Sequence, residues 1–204
     1  MRLLIFVILS LFISAPSFAE NTIHDDQIKI WAYKAVSRLL TYRYDELESN
    51  LDQNKYLLTE RGCKKYLWIL DSYGFADDLK DHGETLIVEE LWKNKAFRSE
   101  LDLITLERLT EREEKIKETE NVNHKFWYAD IPLILVFQKG LIKKRYRFIA
   151  YVQIRMVNDN PATLLIENWL ITPLRGVISR KEYIKYSDKN YDECDDVSFK
   201  DIED

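Results

Sequence analysis

The sequence predicts an α+β domain in which N-terminal helices pack on a bent antiparallel sheet. Three observations predict it. Apolar residues recur at helical spacing from Ile28 to about Leu79. From Glu84 onward the period changes to alternation. Two long alternating runs, "KFWYADIPLILVFQ" and "KRYRFIAYVQIRMV", flank a short link with Gly140 at its turn. Helices followed by antiparallel strands suit a sheet with helices gathered on one face.

Each element follows in order. In "DDQIKIWAYKAVSRLL", Ile28, Trp31, Ala32, Ala35, Val36, Leu39 and Leu40 share one helix face, and Asp25 and Asp26 sit at the positive end of the helix dipole. Tyr42, Tyr44 and Leu47 lead into a second, short helix that ends near Tyr56. Thr59 is the expected N-cap of a third helix, with Glu60 in its first turn and Tyr66, Leu67, Ile69 and Leu70 on its buried face. Gly62 costs that helix about 1 kcal/mol relative to alanine, which predicts a neighbouring element in close approach. Gly74 is the stop, followed by a last short turn through Phe75 and Leu79.

"ETLIVEELW" and "AFRSELDLITLERL" read as strands, and "ERLTEREEKIKETENVNH" as a solvated charged link. In the long hairpin, Tyr146, Phe148, Ala150, Val152, Ile154 and Met156 share a face, with Arg145, Arg147, Tyr151, Gln153 and Arg155 mainly on the other. "NDNPA" makes a turn, "TLLIENWLIT" the last strand, and Pro173 ends it.

Three regions are expected: 1–19 a secretory signal, 20–173 the domain, and 174–204 a polar, acidic tail. The signal rests on Arg2, the apolar run Leu3 to Ile13, and small residues at Ser17 and Ala19. That run is shorter than the roughly 20 residues a membrane-spanning helix needs. Retention as an uncleaved anchor is the alternative. Removal would leave a periplasmic chain. Apolar residues make up 46% of the 204-residue sequence, enough to build a core and against wholesale disorder. A formal net charge of -5 argues against nucleic-acid binding, which requires cations to neutralise phosphates. Cys63 and Cys194 pair in an oxidising compartment and pin the tail to the domain, or stand as one buried and one exposed thiol.

Four stretches, "IWAYKAVSRLLTYRYDELESNL", "YLLTERGCKKYLWIL", "WYADIPLILVFQ" and "RFIAYVQIRMV", resemble in that order the DotI/IcmL family of type IVB secretion systems. The second is the most specific, with its Tyr-Leu-Leu-Thr lead-in, Gly62 three residues after Thr59, and an aromatic-rich helix. Leu58 stands where the family has an aromatic residue and Cys63 where it has tryptophan; Pro132 and Arg155 fall at matching places in the paired strands. The resemblance implies a cone-like fold similar to nuclear transport factor 2 and a non-enzymatic interaction role. The partners it implies are other secretion-apparatus subunits or further copies of the chain, with membrane association indirect or through an uncleaved N-terminal segment. Core members of the family look anchored, so this chain reads as an IcmL-like relative.

For chemistry, a nucleophilic Cys63 would need a base beside it, and no protease-like signature surrounds it. His24, His82 and His124 are scattered and lack metal-ligand spacing, so they read as surface residues. No Gly-rich phosphate loop is present. No catalytic group, metal or cofactor is therefore expected. An alternative reading places Asp130 as a general base in a ligand-holding cone, with Tyr42 and Tyr146 as hydrogen-bond donors. The simpler expectation is that Asp130 faces solvent or pairs with Arg147 or Arg155 across the hairpin. Trp92, Trp127 and Trp169 are candidate interface anchors, while Trp31 and Trp68 belong to helices and the core.

Overall fold

A computed structural model of the chain describes residues 23–89, 102–109, 124–157, 160–174 and 194. The expected signal and most of the expected tail lie outside the described residues, as do Trp92 and the greater part of the charged link. The element order is α1 (Asp25–Leu39), β1 (Tyr42–Arg43), α2 (Leu47–Asn54), α3 (Glu60–Ser72), α4 (Phe75–His82), β2 (Thr85–Val88), β3 (Thr105–Arg108), β4 (His124–Lys139), β5 (Ile142–Val157) and β6 (Leu165–Pro173).

The expected α+β architecture is what the chain adopts: helices on a strongly curled antiparallel sheet. The sheet runs β1-β2-β4-β5-β6, with β3 also on β4. β4 is long enough to hold two partners on one edge. Its Trp127 to Asp130 pair with β3, and its Leu135 to Gln138 with β2. On its other edge it pairs with β5 along its whole length.

Alternation then sorts the sheet's two faces. Ala129, Ile131, Leu133 and Leu135 of β4, with Phe148, Ala150, Val152, Ile154 and Met156 of β5, join one core with Ile28, Ala32, Val36 and Leu39 of α1 and Tyr66 and Ile69 of α3. Tyr146 has the same parity as Phe148 yet is half exposed, at the wall of a small open pocket that it shares with Phe75 of α4.

Two local differences from the sequence expectation have clear causes. Tyr42 and Arg43 form a strand on β2 rather than the approach to a helix; Tyr42 lies opposite Leu86 and buries its ring, as aromatic residues favour on a pleated surface. The stretch after Gly74 is a full helix rather than a turn. Gly74 (φ +62°) redirects the chain, Asp77 and Asp78 favour the new helix's positive end, and Gly83 (φ +60°) stops it.

Burial raises the pKa of Tyr42, Tyr66 and Tyr73; for Tyr66 the neighbouring Tyr42 adds to it. A raised folded-state pKa means that above about pH 10 the unfolded chain loses phenolic protons that the folded chain keeps. The native state then binds more protons, so stability falls as pH rises. Urea midpoints should drop between about pH 9 and about pH 11, measured by circular dichroism; a flat profile would contradict this burial.

Candidate functional site

The segment Leu58 to Cys63 is an architectural joint. Its position follows from a bulge in β6. Gln153 pairs with Asn168 but Ile154 pairs with Ile166, so Glu167 is left out of register. The Ile166 carbonyl accepts the Thr59 N–H at 3.0 Å, and Leu58 bridges Ile166 in parallel. Thr59 Oγ1 accepts the Gly62 N–H at 3.1 Å and so caps α3, as expected. The expected close approach at Gly62 is also present: a Cβ there would overlap the Ile166 carbonyl oxygen. One turn later Tyr66 stacks on Trp169, with ring centroids 5.8 Å apart, while Trp169 Nε1 donates to the Gly62 carbonyl at 3.1 Å. Tyr73 Oη donates to the Ile171 carbonyl at 2.6 Å. The exposed edge of β6 is thereby covered by α3, which removes a site for uncontrolled strand addition.

Cys63 and Cys194 are bonded through their sulfurs, with Cα atoms 5.7 Å apart. Both are fully buried. Cys63 thus carries no free thiol, and the bond ties position 194 to the first turn of α3.

The residues offered for a catalytic or ligand-holding cone are not brought together. Asp130 lies on the sheet face away from the core, opposite Thr105 on one side and Tyr151 on the other. Tyr42 is in register, through Leu86, with Phe137, seven positions along β4 from Asp130 and so roughly 23 Å away. Tyr146 stands opposite Leu135, five positions from Asp130, or roughly 17 Å. Of the simpler expectation for Asp130, the direct cross-strand pairing is corrected, while the residue does lie on the face away from the core. Arg147 is in register with Ile134 and Arg155 with Phe126, and Arg155 pairs instead with Glu167 at 3.4 Å.

Tyr42 cannot serve as a donor to a ligand, because its ring is 3% exposed and its hydroxyl is buried without a partner among the described residues. A buried unpaired hydroxyl costs about 1 to 3 kcal/mol. Tyr42→Phe should therefore leave stability unchanged or raise it in a urea titration, whereas a loss above about 1 kcal/mol would mean that the hydroxyl is paired.

The tryptophans are also corrected as interface anchors. Trp127 and Trp169 are 3% and 0% exposed and belong to the core. Their parity explains it: Trp127 aligns with Ala129 and Ile131, and Trp169 with Ile171. Trp31 and Trp68 are partly buried against that core. His24 precedes α1, with its N–H donating to Gln27 Oε1 at 3.1 Å; His82 Nδ1 lies 2.8 Å from the Asp78 carbonyl; His124 opens β4. Among the described residues, no three His, Cys, Asp or Glu side chains gather to hold a metal ion.

The concave features lie elsewhere. A cleft of about 710 Å³ opens between the end of α1, α2 and the face of β2, β4 and β5 that carries Ile87, Val136 and Arg145. That volume is in the range of ligand and peptide clefts. Arg38, Lys143 and Arg145 against Glu89 make it net positive in an acidic chain. Arg145 is held by Glu89 at 2.9 Å, and Arg38 Nη1 donates to Tyr56 Oη at 2.6 Å. Ser37 and Asn50 line the same cleft, with Ser37 Oγ and Asn50 Oδ1 buried and without hydrogen-bond partners among the described residues. The chemistry suits an acidic segment. A second, smaller pocket of about 260 Å³ is walled by Phe75, Phe137, Tyr146 and Phe148, with the Lys144–Glu84 ion pair (3.2 Å) at its rim. Sequence reasoning named only Tyr146 of their lining as a site residue, because the walls come from chain segments far apart; the available signal for the rest was the basic run "KKRYR".

Compared with solved structures, the chain superposes on the periplasmic domain of DotI with a TM-score of 0.55 at 16% identity, covering 74% of this chain and 96% of that domain. The fold is that of the DotI periplasmic domain. An IcmL-like type IV secretion system protein from Legionella pneumophila matches with a TM-score of 0.54 at 10% identity over 77% of this chain and 98% of that one. A periplasmic fragment of TraM matches with 0.52 at 10% identity over 74% and 98%. No protein-family model and no curated protein matches the sequence. The shared fold therefore spans nearly all of each solved domain. Among the described residues, no helix is long and apolar enough to cross a membrane.

Proposed function

We propose that the protein is a periplasmic, non-enzymatic interaction domain of a type IV secretion apparatus, which works through contacts with other apparatus subunits. The observation that carries this reading is the fold, shared over almost their full length with the periplasmic domain of DotI, an IcmL-like type IV secretion system protein and a periplasmic fragment of TraM. A disulfide between residues 131 apart adds to it, since such bonds persist in oxidising compartments. Asp130, Tyr42 and Tyr146 lie too far apart to form one site, which favours the interaction reading over a cone built on that trio.

The net-positive cleft between α2 and the sheet is the contact surface, and an acidic loop of a neighbouring subunit is its occupant. A photo-crosslinking amino acid in place of Gln53, on the α2 wall, should capture an apparatus subunit in the intact envelope, and Arg38→Glu should abolish the crosslink while leaving the fold intact. Capture of nothing at Gln53, or a crosslink unaffected by Arg38→Glu, would overturn this assignment of the surface.

A further inference from the structure

The tip of the β4–β5 hairpin combines two properties found together nowhere else among the described residues. Lys139, Lys143, Lys144, Arg145 and Arg147 place five cations and no acid within residues 139–147 of a chain with net charge -5. Leu141 is 100% exposed and Ile142 65% exposed, with Tyr146 at 49% behind them. Gly140, at φ +57°, makes the tight two-residue turn that presents Leu141 at the apex.

The hairpin also projects. β6 ends at Pro173, opposite Phe148, and β2 reaches only Gln138 on the β4 side, so the turn at 139–142 extends past both neighbouring strands, with residues 142–147 of β5 exposed. Lys144 and Arg145 are tied to Glu84 (3.2 Å) and Glu89 (2.9 Å), which brace the base of the arm against the end of β2. No ion pair among the described residues involves Lys139, Lys143 or Arg147. Cations on an unpaired strand edge are ordinary protection against strand addition. That protection does not account for a leucine and an isoleucine held out in water beyond them.

We propose that this hairpin is a membrane-docking arm: Leu141 and Ile142 enter the acyl boundary of an anionic phospholipid bilayer while Lys139, Lys143 and Arg147 meet its phosphates. A bilayer surface offers both the apolar layer and the negative layer at the spacing required. Apolar insertion reaches about 5 to 10 Å below the headgroups, two or three residues of an extended strand. Tyr146, further from the apex, then lies where amphipathic rings sit at membrane interfaces. A duplex nucleic acid would use the cations but gain nothing from Leu141 and Ile142.

The test is flotation of the full-length protein with vesicles of phosphatidylcholine alone or of phosphatidylcholine mixed with phosphatidylglycerol. Comparison is with Leu141→Asp/Ile142→Asp and with Lys139→Gln/Lys143→Gln, all in the same full chain, so that any partitioning by the N-terminal apolar run is common to every sample. Binding should favour the anionic vesicles and weaken with salt. It should fall about fivefold for each cation removed, and the aspartate pair should reduce it to the phosphatidylcholine level. In a separate variant, Leu141→Trp, fluorescence should shift to the blue with anionic vesicles only. Three results would overturn the proposal: variants that float like the wild type, no preference for anionic vesicles, or tight duplex-DNA binding that survives the aspartate pair. Because Leu141 and Ile142 touch no core residue, thermal midpoints of the variants should match the wild type; unfolded variants would contradict the exposure on which the arm rests.

Discussion

Gly62→Ala should destabilise the protein by about 3 kcal/mol or more, read as a loss in urea midpoint. The added methyl overlaps the Ile166 carbonyl oxygen, which is backbone and cannot rotate away. Relief requires α3 to lift from β6, and several interactions depend on that spacing: the Thr59 N–H bond to Ile166, the Trp169 indole bond to Gly62, and the Tyr66–Trp169 stack. Helix propensity points the other way, since alanine is favoured over glycine by about 1 kcal/mol. The sign of the result therefore separates local preference from tertiary contact. Gly74→Ala is the control. Nothing lies within 4 Å of a Cβ at Gly74, so its cost is only the left-handed backbone, about 1 to 2 kcal/mol. A Gly62→Ala variant as stable as the wild type would mean that α3 does not sit on the bulge of β6.

Loss of the Cys63–Cys194 bond should cost about 2 to 5 kcal/mol. The bond joins residues 131 apart, and in the chain-entropy account a loop of that length restricts the unfolded chain by about 5 kcal/mol. Cys63→Ser/Cys194→Ser and reductant-treated wild type should unfold at the same, lower urea concentration. Cys63 lies beside Gly62 in the first turn of α3, so the bond clamps the helix end that already carries the Thr59 cap. A double variant with unchanged stability, or two titratable thiols in the denatured, unreduced protein, would contradict the bond's role.

Much of this joint was legible in the sequence because it rests on local rules. Threonine three residues before a glycine, at the head of an amphipathic run, is a cap signal, and a glycine that weakens a helix asks for a neighbour. The β4–β5 hairpin was equally plain, since its alternation persists for many residues around Gly140. What escaped depends on distant partners. The two-residue β1 exists because Leu86 offers a ladder to Tyr42, and no local pattern encodes that offer. The bulge at Glu167 is invisible in "TLLIENWLIT", yet it presents the carbonyl on which α3 docks. Trp127 and Trp169 were assigned to an interface by residue type, when parity with Ala129, Ile131 and Ile171 pointed inward. Asp130 drew attention as an acid within an apolar strand. In a curled sheet with only one face on the core, such an acid simply takes the other face.

The cleft and the hairpin arm adjoin, with Lys143 common to both. The α2 wall of the cleft would serve a protein neighbour, and the hairpin apex a lipid surface. Both stand at the sheet's β2–β5 end, away from the α3–β6 joint, so the clamp that stabilises the fold does not occlude the surfaces assigned to assembly.

The most direct measurement for the account as a whole is affinity purification of the tagged full-length protein from its own gently solubilised envelope, with every co-purifying protein identified by mass spectrometry. Recovery with inner-membrane subunits of a type IV secretion apparatus is expected, and should be lost with Arg38→Glu. Recovery of the protein alone from the soluble periplasm would contradict it.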